Sequence, residues 1–150
     1  MKINFTKKQY ARLIKSVYLA NWMANAHITD DDRIKEYDEL EEYILSFAKD
    51  FELDEYVDDE EMRGRKYFPS RHLEEETDVF KVIDEYDNNT FWDEIADRLG
   101  ERDFCGKYDE KEINEMSQKE RFVKLRECVD KWEEEASNYG IDRLEIKEEK

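Results

Sequence analysis

Apolar residues recur at three- and four-residue steps along most of this chain, and that period predicts helices. Thr6-Lys7-Lys8-Gln9 reads as a capping box, in which the threonine hydroxyl accepts from the Gln9 amide and the glutamine reaches back. A helix over about residues 7–26 follows, with one stripe at Tyr10, Leu13, Ile14, Val17, Ala20 and Ala24 and a second at Tyr18, Leu19, Trp22 and Met23. Beyond Lys15 this segment is apolar nearly all round, so its second half is expected at the buried centre. Thr29 or Asp30 is placed to cap a second helix over about 31–51, whose stripe is Tyr37, Leu40, Ile44, Phe47, Ala48 and Phe51. A short helix is expected within 52–62. The run Arg63-Gly64-Arg65-Lys66 and then Pro69 interrupt the pattern.

Ser70 is a cap for a helix over about 71–87, and Asn88-Asn89 reads as a stop or turn. Thr90 begins a short helix that carries Phe91, Trp92, Ile95 and Leu99, with Gly100 as its C′ residue. Residues 104–108 look irregular, and Asp109 with Glu112 starts one more turn. Ser117-Gln118-Lys119-Glu120 is a second capping box, opening a helix over about 118–139. Phe122, Leu125, Val129, Trp132, Ala136 and Tyr139 form its face, and Gly140 its stop. At the ends, Ile3 and Phe5, and Leu144 and Ile146, alternate with polar neighbours, a pattern able to pair the termini in a small two-stranded ladder. The expected fold is mainly α: one compact domain over residues 1–150, a bundle of about five or six helices.

Composition changes this picture in one respect, charge. Charged residues make up 45% of the chain, and the formal net charge is −17. Such a composition, with a mean hydropathy of −1.07, borders on that of disordered chains. The 8 Phe, 3 Trp and 9 Tyr at periodic positions place it among folded ones instead. Few glycines (4) and a single proline disfavour a turn-rich sandwich or barrel. Cys105 and Cys128 lie outside any CxxC pattern and read as reduced thiols of a cytoplasmic protein. No apolar run is long enough to span a bilayer. Residues 1–29 carry Lys2, Lys7, Lys8, Arg12 and Lys15 and no acid, so the negative charge belongs to the remainder.

The block from Phe91 to Leu99 and the segment Tyr139-Gly140-Ile141-Asp142-Arg143-Leu144 resemble parts of small uncharacterised acidic bacterial proteins. The resemblance implies a helical fold and carries no activity, cofactor or site.

Catalytic motifs are weak. A nucleophile needs a base and an orienting group, and His27 and His72 are the two histidines. Ser70 and Ser117 sit where caps belong, and no GxSxG occurs. His27 with Asp30-Asp31-Asp32 is a conceivable cation site, although a helix N-terminus explains those aspartates equally. No HExxH or phosphate-binding loop is present, and the stretch from Asp84 to Ile95 lacks the glycine and glutamate of a calcium loop. No cofactor or structural metal is expected. Arg63, Arg65, Lys66 and Arg71, with Tyr67, Phe68 and His72, form a basic island that either binds an anion or neutralises acidic helices nearby.

The acidic surface itself is the remaining feature. A field of this sign repels nucleic acid and anionic membranes and suits a basic protein partner. Carboxylates on a helix rise about 1.5 Å per residue, close to the spacing of about 1.7 Å per phosphate charge in duplex DNA. The sequence therefore points to a non-enzymatic acidic binding protein that meets a basic surface, in its sharpest form a nucleic-acid mimic that blocks a nuclease or DNA-binding protein. Glu41, Glu42, Asp58, Asp59, Glu60 and Glu61 are the candidate contacts. Two alternatives stand beside it: a small metal-dependent hydrolase using His27 or His72 with nearby carboxylates, and a structural homo-oligomer built on residues 118–139.

Overall fold

The computed structural model describes residues 2–29, 32–59 and 65–145. Six α-helices occur among them: α1 (Lys7–Asn25), α2 (Lys35–Leu45), α3 (Arg71–Glu75), α4 (Val79–Lys107), α5 (Glu110–Glu115) and α6 (Gln118–Tyr139). Short 3-10 helices at Ala48–Phe51 and Asp54–Tyr56 follow α2. Strand β1 (Val57–Asp58) pairs antiparallel with β2 (Phe68–Pro69). The fold is thus mainly α with one small two-stranded sheet. That sheet pairs residues just before the basic island with Phe68–Pro69 inside it, and does not join the chain termini. Ile3, Phe5 and Leu144 lie outside regular structure and are exposed, and Ile146 is outside the described residues. Two compact units divide the chain, Met1–Asp84 and Glu85–Lys150, with the boundary inside α4. No helix among the described residues is long and apolar enough to cross a membrane.

In the first unit, α1 and α2 pack together. The predicted capping box forms: Gln9 N–H donates to Thr6 Oγ1, and Thr6 N–H donates to Gln9 Oε1 at 2.9 Å. Tyr10, Ile14 and Tyr18 are buried, and Tyr10 stacks on Phe51 with ring centroids 3.9 Å apart. Tyr10 O–H donates to the Ile44 carbonyl at 2.6 Å, and burial pushes its phenol up to about 12. Leu45, Ala48, Leu53, Val57, Leu73, Val79 and Ile83 complete this core.

The second half of α1 departs from expectation. Its buried positions are Tyr18, Asn21 and Asn25, two of the three polar, while Met23 is exposed. One neighbouring helix covers one face, so an all-round apolar segment leaves residues uncovered, and polar groups can occupy the contact if they find partners.

The middle of the chain also differs from its periodicity. The segment expected at 71–87 breaks at Thr77, which donates to the Leu73 carbonyl at 2.6 Å and accepts from Val79 N–H at 3.4 Å. It therefore ends α3 and begins α4. Ser70 caps α3 as expected, accepting from Leu73 N–H, and donates in turn to the Glu55 carbonyl. Helix α4 then runs unbroken through Asn88-Asn89 and Gly100. Asparagine costs a helix only about 0.7 kcal/mol or less per residue relative to alanine, too little to stop one that is otherwise supported.

Gly100 is inside the helix because of a close approach. A Cβ there would lie 2.6 Å from Val129 Cγ2 and 2.8 Å from Val129 Cα. In the second unit, α4 and α6 meet at this point, beside Ala96, Phe104 and Val129. Trp132 Nε1–H donates to Asp103 at 2.8 Å. Helices α5 and α6 start on Asp109 and Ser117 caps, and α6 stops at Gly140, where φ is +56°.

Candidate binding site

Only part of the stripe expected on α2 and the turn after it is buried: Ala48 lies in the core, with Ile44 and Phe51 packed against it. The buried residues of α2 itself are Glu41 and Leu45, whereas Leu40 (49%), Tyr43 (61%) and Phe47 (38%) are exposed. Charge pairing on the inner face explains the buried Glu41. Arg33 grips Asp38 with two bonds, Nε to Oδ2 at 3.1 Å and a terminal nitrogen to Oδ1 at 2.7 Å. Arg65 reaches the same Asp38 oxygen at 3.2 Å and Glu41 Oε2 at 2.9 Å. From α1, Asn21 donates to Asp38 at 3.1 Å. Asn25 donates to Asn21 at 2.8 Å and accepts from the Ile34 amide at 2.8 Å. That last bond stands where an N-cap belongs: Ile34, at the start of α2, has no capping side chain of its own. Thr29 does not serve, and Asp30 lies outside the described residues.

Of these groups, Asn21, Asn25, Arg33, Glu41 and Arg65 line a cavity of about 190 Å³ with Tyr18, Trp22 and Pro69. Arginine forks and the Asn21 amide hold the Asp38 carboxyl below its ordinary range. Burial raises that of Glu41, against the pull of Arg65. A raised carboxyl in a cavity is a mark of general-acid chemistry. Here it is bonded to a guanidinium, and neither histidine lines the cavity. His27 is exposed after α1, and His72 stands against Tyr56 with ring centroids 5.9 Å apart. Among the described residues no group of three or more His, Cys, Asp or Glu side chains is placed to hold a metal ion.

Two residue sets that look like separate sites in the sequence are each other's partners. Arg65 meets Glu41, the Lys66 amide donates to Glu42 at 2.8 Å, and Arg65 lies over Phe68 at 4.8 Å. Arg65 Nε is buried 3.9 Å from Glu42, beyond hydrogen-bond reach. Lys66 also lies over Tyr67, and Arg71 pairs with Glu75 at 2.8 Å. Arg65, Lys66 and Arg71 thus each have a carboxylate or ring partner. Of the acids, Glu41 faces inward, Glu42 is half-buried, and Asp59 pairs with Lys49 at 2.9 Å. Asp58 is exposed on β1. Glu60, Glu61 and Arg63 lie outside the described residues.

The outer face of α2 exposes residues that the periodicity assigned to the core, Leu40 and Phe47, beside Tyr43. Glu36, Glu39, Leu40 and Tyr43 share one helical face, and Phe47 continues it. The Tyr43 and Phe47 rings meet edge to face, with centroids 5.1 Å apart. Tyr37 and Ile34 extend the apolar strip. A signal for this ridge exists in the sequence. Tyr37, Leu40, Tyr43, Ile44, Leu45, Phe47 and Ala48 spread over an arc of about 200° at 100° per residue, more than one neighbour can cover. Compared with protein-family models, with curated proteins and with solved structures, the chain matches none of them.

Proposed function

We propose that this chain is a non-enzymatic acidic binding protein, and that it contacts a basic partner through the exposed ridge of α2. The observation that carries this reading is the exposure of Leu40, Tyr43 and Phe47 beside Glu36 and Glu39. Clustered exposed apolar groups rimmed by charge are a common mark of interaction surfaces, and tyrosine is among the residues that dominate binding energy. The complementary partner is a basic amphipathic helix, whose apolar residues meet the ridge and whose Lys and Arg meet the rim.

Elsewhere the acids are interleaved with bases. Glu94 pairs with Arg98, Glu120 with Lys124, and both Asp130 and Glu133 with Arg126. Interleaving supports a mixed apolar and acidic contact over an uninterrupted phosphate-like row.

The test uses an amphipathic peptide of about fourteen residues, leucine on one face and lysine on the other. Its affinity is expected to fall about tenfold between roughly 50 and 200 mM salt, because rim charges are screened. Replacing Leu40, Tyr43 and Phe47 together by serine is expected to weaken binding a further tenfold or so at either salt, about 1.4 kcal/mol. A matched change on α6, Phe122→Ser with Val123→Ser, leaves affinity unchanged. Equal losses for the two variants, or affinity indifferent to salt, would remove the ridge from the binding surface.

A further inference from the structure

A different face of α1 lines a cleft of about 390 Å³, walled by Lys8, Ala11, Arg12, Lys15, Ser16 and Leu19 from that helix. Tyr56, Asp78, Val79 and Val82 close it from the other side. All ten belong to the first unit. Volumes of about 300–1,000 Å³ are usual for small-molecule sites.

The lining has two parts. Lys8, Arg12 and Lys15 rise along successive turns of one helical face, and Ala11, Leu19, Val79 and Val82 supply apolar walls. One carboxylate, Asp78, faces the three cations, bonded to Lys15 at 2.6 Å. Among the described residues, Lys8 and Arg12 have no carboxylate within salt-bridge distance and are exposed. This local excess of positive charge sits in a chain of −17. Screening over about 8 Å lets a cleft of one sign persist on a protein of the other.

We infer that this cleft binds a small organic anion, a phosphate or carboxylate head carried on a compact apolar body. The head lies between Lys8 and Arg12, where a guanidinium can take two oxygens at once. Lys15 is held toward it by Asp78, and the body lies against Leu19, Val79 and Val82. Such a ligand is distinct in sign and in place from the basic partner of α2, so the two readings stand or fall separately.

Octyl phosphate is the probe, titrated into isotope-labelled full-length chain and followed by amide chemical shifts. Saturable shifts are expected at residues 8–19, 56 and 78–82. Inorganic phosphate, with the head alone, is expected to bind at least about tenfold more weakly, since the apolar contacts are lost. Lys8→Gln with Arg12→Gln is expected to reduce octyl phosphate affinity about tenfold or more. The control Lys7→Gln, which removes one positive charge, one residue away and paired with Glu52, leaves it unchanged. Both variants alter exposed side chains, and unchanged circular dichroism checks their folding. Phosphatidylglycerol vesicles form a second arm, and the acidic coat is expected to keep the chain off them. Shifts spread away from these segments, equal affinity in the two variants, no saturation by octyl phosphate, or sedimentation with vesicles alone each overturn the assignment.

Discussion

Replacing Arg65 by methionine is expected to destabilise the first unit by about 3–5 kcal/mol, the usual consequence of leaving a buried charge without its partner. Arg65 bonds Asp38 and Glu41 at 3.2 and 2.9 Å. Asp38 keeps Arg33 when Arg65 is removed. Among the described residues Glu41 has no second cation within salt-bridge distance, and its side chain is only 6% exposed, so the loss falls on it. Equilibrium denaturant unfolding followed by circular dichroism measures the change. The double variant Glu41→Leu with Arg65→Met is expected to recover most of it, because apolar side chains often replace a buried ion pair at no net loss. A single variant as stable as the parent would show that the pair is not holding α2 in place.

The same pair predicts a pH signature. Burial raises the Glu41 carboxyl. A group whose folded pKa lies above its unfolded one favours folding most below the unfolded value, and that contribution is lost as pH rises through the folded value. Arg33 lowers the Asp38 carboxyl, with the opposite sign: its contribution is present above the ordinary carboxyl pKa and lost as pH falls through the lower folded value. In the parent chain the two slopes oppose each other. Without Arg65 the raised group dominates, so the variant is expected to gain stability on mild acidification from neutral pH, and more than the parent does. Identical pH profiles for variant and parent would contradict the assignment.

Gly100→Ala is the second large effect, expected to cost the second unit about 2–3 kcal/mol by overpacking. Intrinsic propensity points the other way, since alanine in a helix interior is favoured over glycine by about 1 kcal/mol. Sterics prevail here because the added methyl meets backbone: Val129 Cα at 2.8 Å and Val129 N at 2.9 Å. A flexible side chain could turn aside, whereas backbone atoms move only if α4 and α6 separate. Gly106 lies in the same helix with nothing within 4 Å of an added Cβ. There Gly106→Ala is expected to raise stability by up to about 1 kcal/mol. Thermal unfolding of the two variants, made side by side, separates packing from propensity. A Gly100→Ala chain that melts above its parent would mean that the helices are not in contact at this point.

Several parts of the molecule were legible from residues alone. Caps at Thr6, Ser70, Asp109 and Ser117 form at the positions where polar side chains precede apolar periods, and Gly140 ends α6. Such features rest on bonds between residues three or four apart, which any reader of the chain can see. Gly100 and Asn88-Asn89 were misleading because they carry the composition of a helix end without its conformation. Gly140 is the sole described glycine with positive φ, and α4 continues past Asn88, Asn89 and Gly100.

Which side of α2 is buried was not legible, and that choice sets the proposed contact surface. Of the stripe Tyr37, Leu40, Ile44, Phe47, Ala48 and Phe51, which has the period of a core face, Ile44, Ala48 and Phe51 meet the core, yet Tyr37, Leu40 and Phe47 are exposed while Glu41 is buried. The partner that draws Glu41 inward, Arg65, lies 24 residues further along the chain, and Asn21 and Asn25 come from the preceding helix. Local sequence determined that helices form here, where their caps lie and that the surface is acidic. Tertiary structure decided which carboxylates are neutralised inside, which apolar ridge faces outward and where two helices touch. Helix formation depends on neighbours within one turn, whereas the rotation of a helix about its axis depends on charges and shapes that only the folded chain brings together.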